Sequence, residues 1–238
     1  MLWYKAWLET RSRFLVSLFA MVALPSYFVW HEYALDQPGW RSVWYYHTLH
    51  AGHGLVAAMW LLAVTLLMMG GLLREKVVGT AAFTLSLPMS RGRLMGVRVA
   101  TGLAEAIALA VAPWVAMFLI AAGTGKANSV YQAWYHLVLL AGGGIVIFAV
   151  ALLVSSLIEG EYTAPAVTIA ILFLDIVALD DGPLQTISPW RFIVGTDYFN
   201  RGTQMLTGPI PWGHFFANLG VAILLTVISI RAIQRHEF

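Results

Sequence analysis

Three histidines, His47, His50 and His53, recur every third residue, a spacing that on a helix spreads them over about 120° of one side. Such a group could hold a metal ion, and one or two of its members could ligate haem. Zinc ligands sharing one helix usually fall at i and i+4, and no acid accompanies these three at a matching spacing, so a polar outer cap on an apolar span is the plainer reading. Two carboxylates, Glu105 and Asp175, stand inside apolar stretches, where a central charge costs about 2.5–3.5 kcal/mol. At about 1.5 Å per residue, Glu105 lies roughly 8 Å from the inner end of its stretch and Asp175 roughly 6 Å from the outer end of its own. Across a hydrocarbon core of about 30 Å they differ in height by some 16 Å, too far for a catalytic dyad. Each is expected either to be satisfied locally, Glu105 by Thr101 and Asp175 by interfacial water beside Asp180 and Asp181, or to line a path. Ser155 and Ser156 fall at the inner end of a span while all histidines but His236 fall outside, so no Ser/His/Asp triad forms. Gly123-Thr124-Gly125-Lys126 ends like a phosphate loop, yet Ile120 replaces the first glycine and Ala127 the magnesium-binding hydroxyl residue. The chain therefore offers no nucleotide or cofactor site of its own.

The elements that carry these residues follow from composition. Hydrophobic residues make up 60% of the 238 and charged residues 11%, against roughly 25% charged in soluble domains. This is the composition of a polytopic membrane protein. Six spans are expected, at Phe14–Trp30, Leu55–Leu73, Ala100–Ala122, Leu137–Ile158, Ala164–Leu179 and Phe215–Ile233. Ahead of the first, residues 1–13 place Leu2, Trp3, Ala6 and Trp7 on one face and Lys5, Glu9, Arg11 and Arg13 on the other, the pattern of an amphipathic helix lying in the interface. Glu9, the early tryptophans and the lack of a small-residue cleavage motif argue against a cleaved signal peptide. With no cysteine, the chain has neither disulfides nor thiolate chemistry. A formal charge of +2 is too small to suggest a nucleic-acid partner.

Of the 14 Lys and Arg residues, ten fall on one side of this six-span scheme and only Arg41, Lys126, Arg191 and Arg201 on the other. The positive-inside rule then puts both termini and residues 74–98 in the cytoplasm. Residues 180–213 form a long outer segment rich in aromatics, suited to a re-entrant or interfacial element with short helices. Gly142, Gly143 and Gly144, together with Gly52 and Gly54, are expected to let helices approach closely, and Pro113 and Pro165 to bend their spans.

Residues 74–98, REKVVGTAAFTLSLPMSRGRLMGVR, are polar in placement yet half apolar in content. Val77, Val78, Phe83, Leu85 and Leu87 at near-helical spacing mark a docking element, and Pro88 with Ser90 makes a stiff elbow before the next span. Glu75, the Gly79-Thr80 pair and Leu87-Pro88-Met89-Ser90-Arg91 leading into a span resemble the permease subunits of type-2 ABC exporters. The amphipathic amino terminus, six spans, a tight inner turn at Glu159-Gly160-Glu161 and the long segment before span six extend that resemblance over most of the chain.

The resemblance implies an all-α, single-domain permease spanning residues 1–238, with residues 74–98 carrying a coupling helix for a cytoplasmic ATPase. Glu75, Gly79, Thr80, Phe83, Leu85, Leu87, Pro88, Ser90, Arg91 and Arg93 would form the ATPase-coupling surface. ATP and magnesium would sit on that partner, so this chain would be a transport subunit and not itself an enzyme. A second permease copy or close paralogue would complete the translocation path, membrane lipid would surround it, and a bacterial inner membrane would house it. Drug-like amphiphiles, peptides, lipids and ions all remain open as substrates. Two other classes stay in view: a membrane-embedded haem or metal redox protein using His47, His50 and His53, and a non-transporting membrane anchor or sensor.

Overall fold

The computed structural model describes residues 2–34, 41–68, 91–123, 130–158, 162–179, 185–200, 203 and 205–235. These fold into seven helices: α1 (Leu2–Ala34), α2 (Arg41–Leu67), α3 (Arg91–Gly123), α4 (Val130–Leu157), α5 (Thr163–Leu174), α6 (Pro189–Val194) and α7 (Trp212–Arg235). Among the described residues, three helices are long and apolar enough to cross a membrane: Gly92–Ile120 in α3, Val130–Leu157 in α4 and Trp212–Gln234 in α7. Shorter apolar helices occupy Gly54–Leu67 and Thr163–Val177. The chain is thus a helical protein with the features of an integral membrane protein. Between Phe216 and Ile228 the exposed residues of α7 are themselves apolar, Val221, Ile223 and Leu224 among them, as a surface facing hydrocarbon requires.

Two helix boundaries depart from the sequence expectation. Residues 2–13 and the first apolar stretch form one uninterrupted helix, α1, with no break at Phe14 and with Pro25 inside it. No strong helix breaker separates Leu2 from Leu24, so the amphipathic turns simply continue into the apolar ones. Residues 91–98, expected within the coupling segment, are likewise the first two turns of α3. Helix α3 runs through Pro113 unbroken, and Pro165 falls in the first turn of α5, where its missing N–H needed no intrahelical partner.

Helix α4 is the central post, packing on α7, α6, α5 and α2, while α1 packs on α3 and α2. The Gly142–Gly144 run explains how α4 accepts such close neighbours. A methyl group at Gly142 would meet the Phe215 and Phe192 rings, one at Gly143 would meet Ile193 and the Pro189 carbonyl, and one at Gly144 would meet Trp60. Close approach through small residues is therefore used here as expected. Gly54, by contrast, has open space around its missing Cβ.

Past α5 the helix widens to a π-helical turn over Asp175–Leu179. Beyond it come a short 3-10 turn at Gln185–Ile187, α6, and a small antiparallel pairing of β1 (Phe199–Asn200) with β2 (Met205–Leu206), in which Phe199 faces Leu206. The short helices match the reading of residues 180–213. The strands, two residues each, are an addition to the all-α expectation.

Candidate functional site

An apolar groove of about 420 Å³ opens between α3, α4 and α7, and all 14 residues lining it are apolar. Trp60 of α2 forms its floor, Ala106 and Ala110 its α3 wall, and Ala141, Ile145 and Phe148 its α4 wall. Trp134, Trp212 and Phe215 also line it, with the Trp212 and Phe215 rings 5.7 Å apart. Ala106, Ala110 and Ala141 leave space between α3 and α4 that larger side chains would fill. The one polar atom of Trp60 is consumed locally, since its indole N–H donates to the Ala106 carbonyl at 2.8 Å and ties α2 to α3. Nothing in this lining can transfer a proton or attack a bond; it can bind apolar matter.

At the Arg91 end of α3 a polar seam joins that helix to α1. The Thr10 hydroxyl donates to Glu105 Oε1 at 2.5 Å, and Arg98 donates to Glu9 at 2.5 Å, with Lys5 3.8 Å from the same carboxylate. Glu105 is only 4% exposed, and its Oε2 has no hydrogen-bond partner among the described residues. The expected partner, Thr101, is spent on the Val97 carbonyl one turn back at 2.9 Å. Backbone bonding of this kind is the local option always open to a helical threonine, so the acid is satisfied from α1 instead.

Asp175 is satisfied by the fold as well. Its Oδ2 accepts from the Trp190 backbone N–H at 3.0 Å, while the Ser188 hydroxyl accepts from Arg191 N–H at 3.2 Å. Two of the open amides at the start of α6 are thereby taken, with Pro189 supplying none. This is a protein contact beyond those expected for Asp175; Asp180 and Asp181 lie outside the described residues. The two acids therefore sit in separate junctions, Glu105 between α1 and α3, Asp175 between α5 and α6.

The segment after α6 is clamped to α4 by side chains the sequence reading passed over. Gln132 donates to the Leu206 carbonyl at 2.9 Å and accepts from the Leu206 N–H at 3.0 Å, mimicking a strand partner for β2. The Tyr135 hydroxyl donates to the Pro209 carbonyl at 3.1 Å, and the Arg191 guanidinium grips Asp197 through Nε and NH2. Gly195, at φ 76°, ends α6 in the left-handed conformation that glycine adopts without strain. Tyr198 bonds His214 at 2.9 Å, and burial, with Asp197 adjacent, holds its phenol above the ordinary value. A lone amide side chain heading an apolar span was the available signal for Gln132.

Of the expected coupling residues, Glu75, Gly79, Thr80, Phe83, Leu85, Leu87, Pro88 and Ser90 lie outside the described residues. Arg91 opens α3, and Arg93 is exposed in its first turn. The side chains of His47, His50 and His53 also lie outside the description, although their backbone belongs to α2. Among the described residues no group of three or more His, Cys, Asp or Glu is arranged to hold a metal. His136 is buried, with Nδ1 2.8 Å from the Gln132 carbonyl and its ring stacked on Trp114. No protein-family model matches the sequence, and no curated protein matches it.

Proposed function

We propose that this chain is the permease subunit of an ATP-driven exporter of the type-2 ABC kind, with six spans, both termini in the cytoplasm and ATP hydrolysed by a partner chain. The observation that carries the reading is α3. It begins at Arg91, three residues after Pro88 in the sequence, and runs to Gly123 along the wall of the apolar groove. A displacement applied to the segment before Arg91 would reach the groove as a rigid-body movement of one helix, because no proline interrupts the backbone hydrogen-bond ladder between Arg91 and Val111. Glu9 and Thr10 bind α1 to the same helix, so the amino-terminal turns would move with it.

The other readings have less beneath them. The redox reading rests on His47, His50 and His53, whose side chains lie outside the described residues. An anchor has no use for a groove between its helices. Cross-linking tests the reading: a photoreactive group at Phe83 or Leu87, in membranes of the native host, should capture an ATPase bearing a phosphate loop. Capture of lipid alone at both positions would refute it.

A further inference from the structure

We propose that the groove between α3, α4 and α7 is a binding site for one acyl chain of a bilayer lipid. Its length and volume together give the argument. The lining extends along α4 from Trp134 to Phe148, about 21 Å at 1.5 Å per residue. A volume of about 420 Å³ open to the centre of a water-sized sphere, over that length, gives a mean cross-section of about 20 Å², or roughly 50 Å² from wall to wall once the sphere's radius of about 1.4 Å is added. A helix with its side chains, at least about 10 Å across, needs roughly 80 Å². The groove is narrower than a whole span of a second copy, and an acyl chain fits within its width.

Surroundings and chemistry agree with the size. All three walls belong to helices long and apolar enough to cross a membrane, so the groove opens sideways into hydrocarbon, where lipid chains are the abundant solute. No lining residue offers a charge or an amide, which leaves a ligand's polar groups without a partner inside and selects against peptides and sugars. Trp134 and Trp212, in the first turns of α4 and α7, are both about half exposed, placed as indoles are at a membrane interface, where a headgroup would emerge. Trp60 lies at the floor and is only 4% exposed, so that a quencher reaches it chiefly through the groove. The site requires membrane insertion and does not depend on the exporter reading.

The test reconstitutes the full chain in nanodiscs of phosphatidylcholine brominated at mid-chain, with unbrominated discs as reference. Subtracting the emission of Trp60→Phe from that of the parent isolates Trp60. Its emission should fall by at least half in brominated discs, and the fall should disappear when Ala141→Phe fills the α4 wall. Ala110→Leu, a smaller filling of the opposite wall, should reduce the fall and provides the comparison where Ala141→Phe fails to fold. Trp60 emission indifferent to bromine, or quenched equally with both fillings, would overturn the proposal. So would efficient disulfide cross-linking of Ala141→Cys between two copies of this otherwise cysteine-free chain, which would show a second copy covering the groove.

Discussion

Replacing Gln132 with methionine, which keeps length and removes both polar atoms, should release residues 205–210 from α4. The amide makes two bonds to one residue, 2.9 Å to the Leu206 carbonyl and 3.0 Å from its N–H. Gln132 and Leu206 are 4% and 2% exposed, so neither backbone group has ready access to water. Leaving a buried donor or acceptor unpaired costs about 1–3 kcal/mol, and two of them about 2–6 kcal/mol. For a chain of this size that corresponds to a fall in Tm of roughly 4–24 °C. Thermal unfolding in detergent, read by intrinsic fluorescence, measures it, and limited proteolysis should show faster cleavage between residues 195 and 211. Gln132→Glu keeps the acceptor and loses the donor, so it should retain only the bond from the Leu206 N–H. A methionine variant with parental Tm and protease resistance would refute the reasoning.

Thr10→Val should leave Glu105 buried with neither oxygen bonded, at a cost of about 1.5–3 kcal/mol, whereas the pair Thr10→Val with Glu105→Leu should recover most of the loss because no orphaned group remains; equal unfolding temperatures for single and double variants would contradict this. Gly143→Ala should destabilise by about 1–3 kcal/mol, since its methyl meets Ile193 and the Pro189 carbonyl, while Gly54→Ala, into open space, should be neutral or stabilising by up to about 1 kcal/mol in the same unfolding assay. In the cysteine-free chain, a label at Ser90→Cys should be reachable only from the cytoplasm and one at Thr203→Cys only from outside, as the asymmetry of Lys and Arg requires; labelling of both from one side would break the six-span scheme.

The long helices were legible because an apolar run of about 20 residues is a local signal that survives any packing. Helix ends were less so. The basic turns Arg91–Arg98 and the amphipathic turns Leu2–Arg13 read as separate elements by polarity, yet nothing in either sequence stops a helix. Glu105 was recognisable as a group needing a partner, but Thr10 is 95 residues away and only the crossing of α1 over α3 brings it there. Asp175 shows the same limit at shorter range, its partner being a backbone amide that no side-chain pattern reveals. Strands of two residues leave no alternation to read, so the pairing of Phe199 with Leu206 was invisible. The groove depends on Ala106, Ala110 and Ala141 sharing one gap between helices, a property of packing that small residues permit without specifying. Gly142–Gly144 are the exception, because three consecutive glycines in a span have few other uses.

The central claim is that a partner ATPase drives this chain through the segment leading into α3. Purification of the full chain from its native membrane in mild detergent, followed by identification of what remains bound, tests it most directly. A stoichiometric ATPase carrying a phosphate loop should be retained, and Leu87→Ala should weaken its association by about 10- to 100-fold through loss of one buried anchor worth about 1.5–3 kcal/mol. A chain that is folded and inserted yet retains no ATPase, or one whose ATPase is held equally well by Leu87→Ala, Phe83→Ala and Pro88→Ala, would contradict the account.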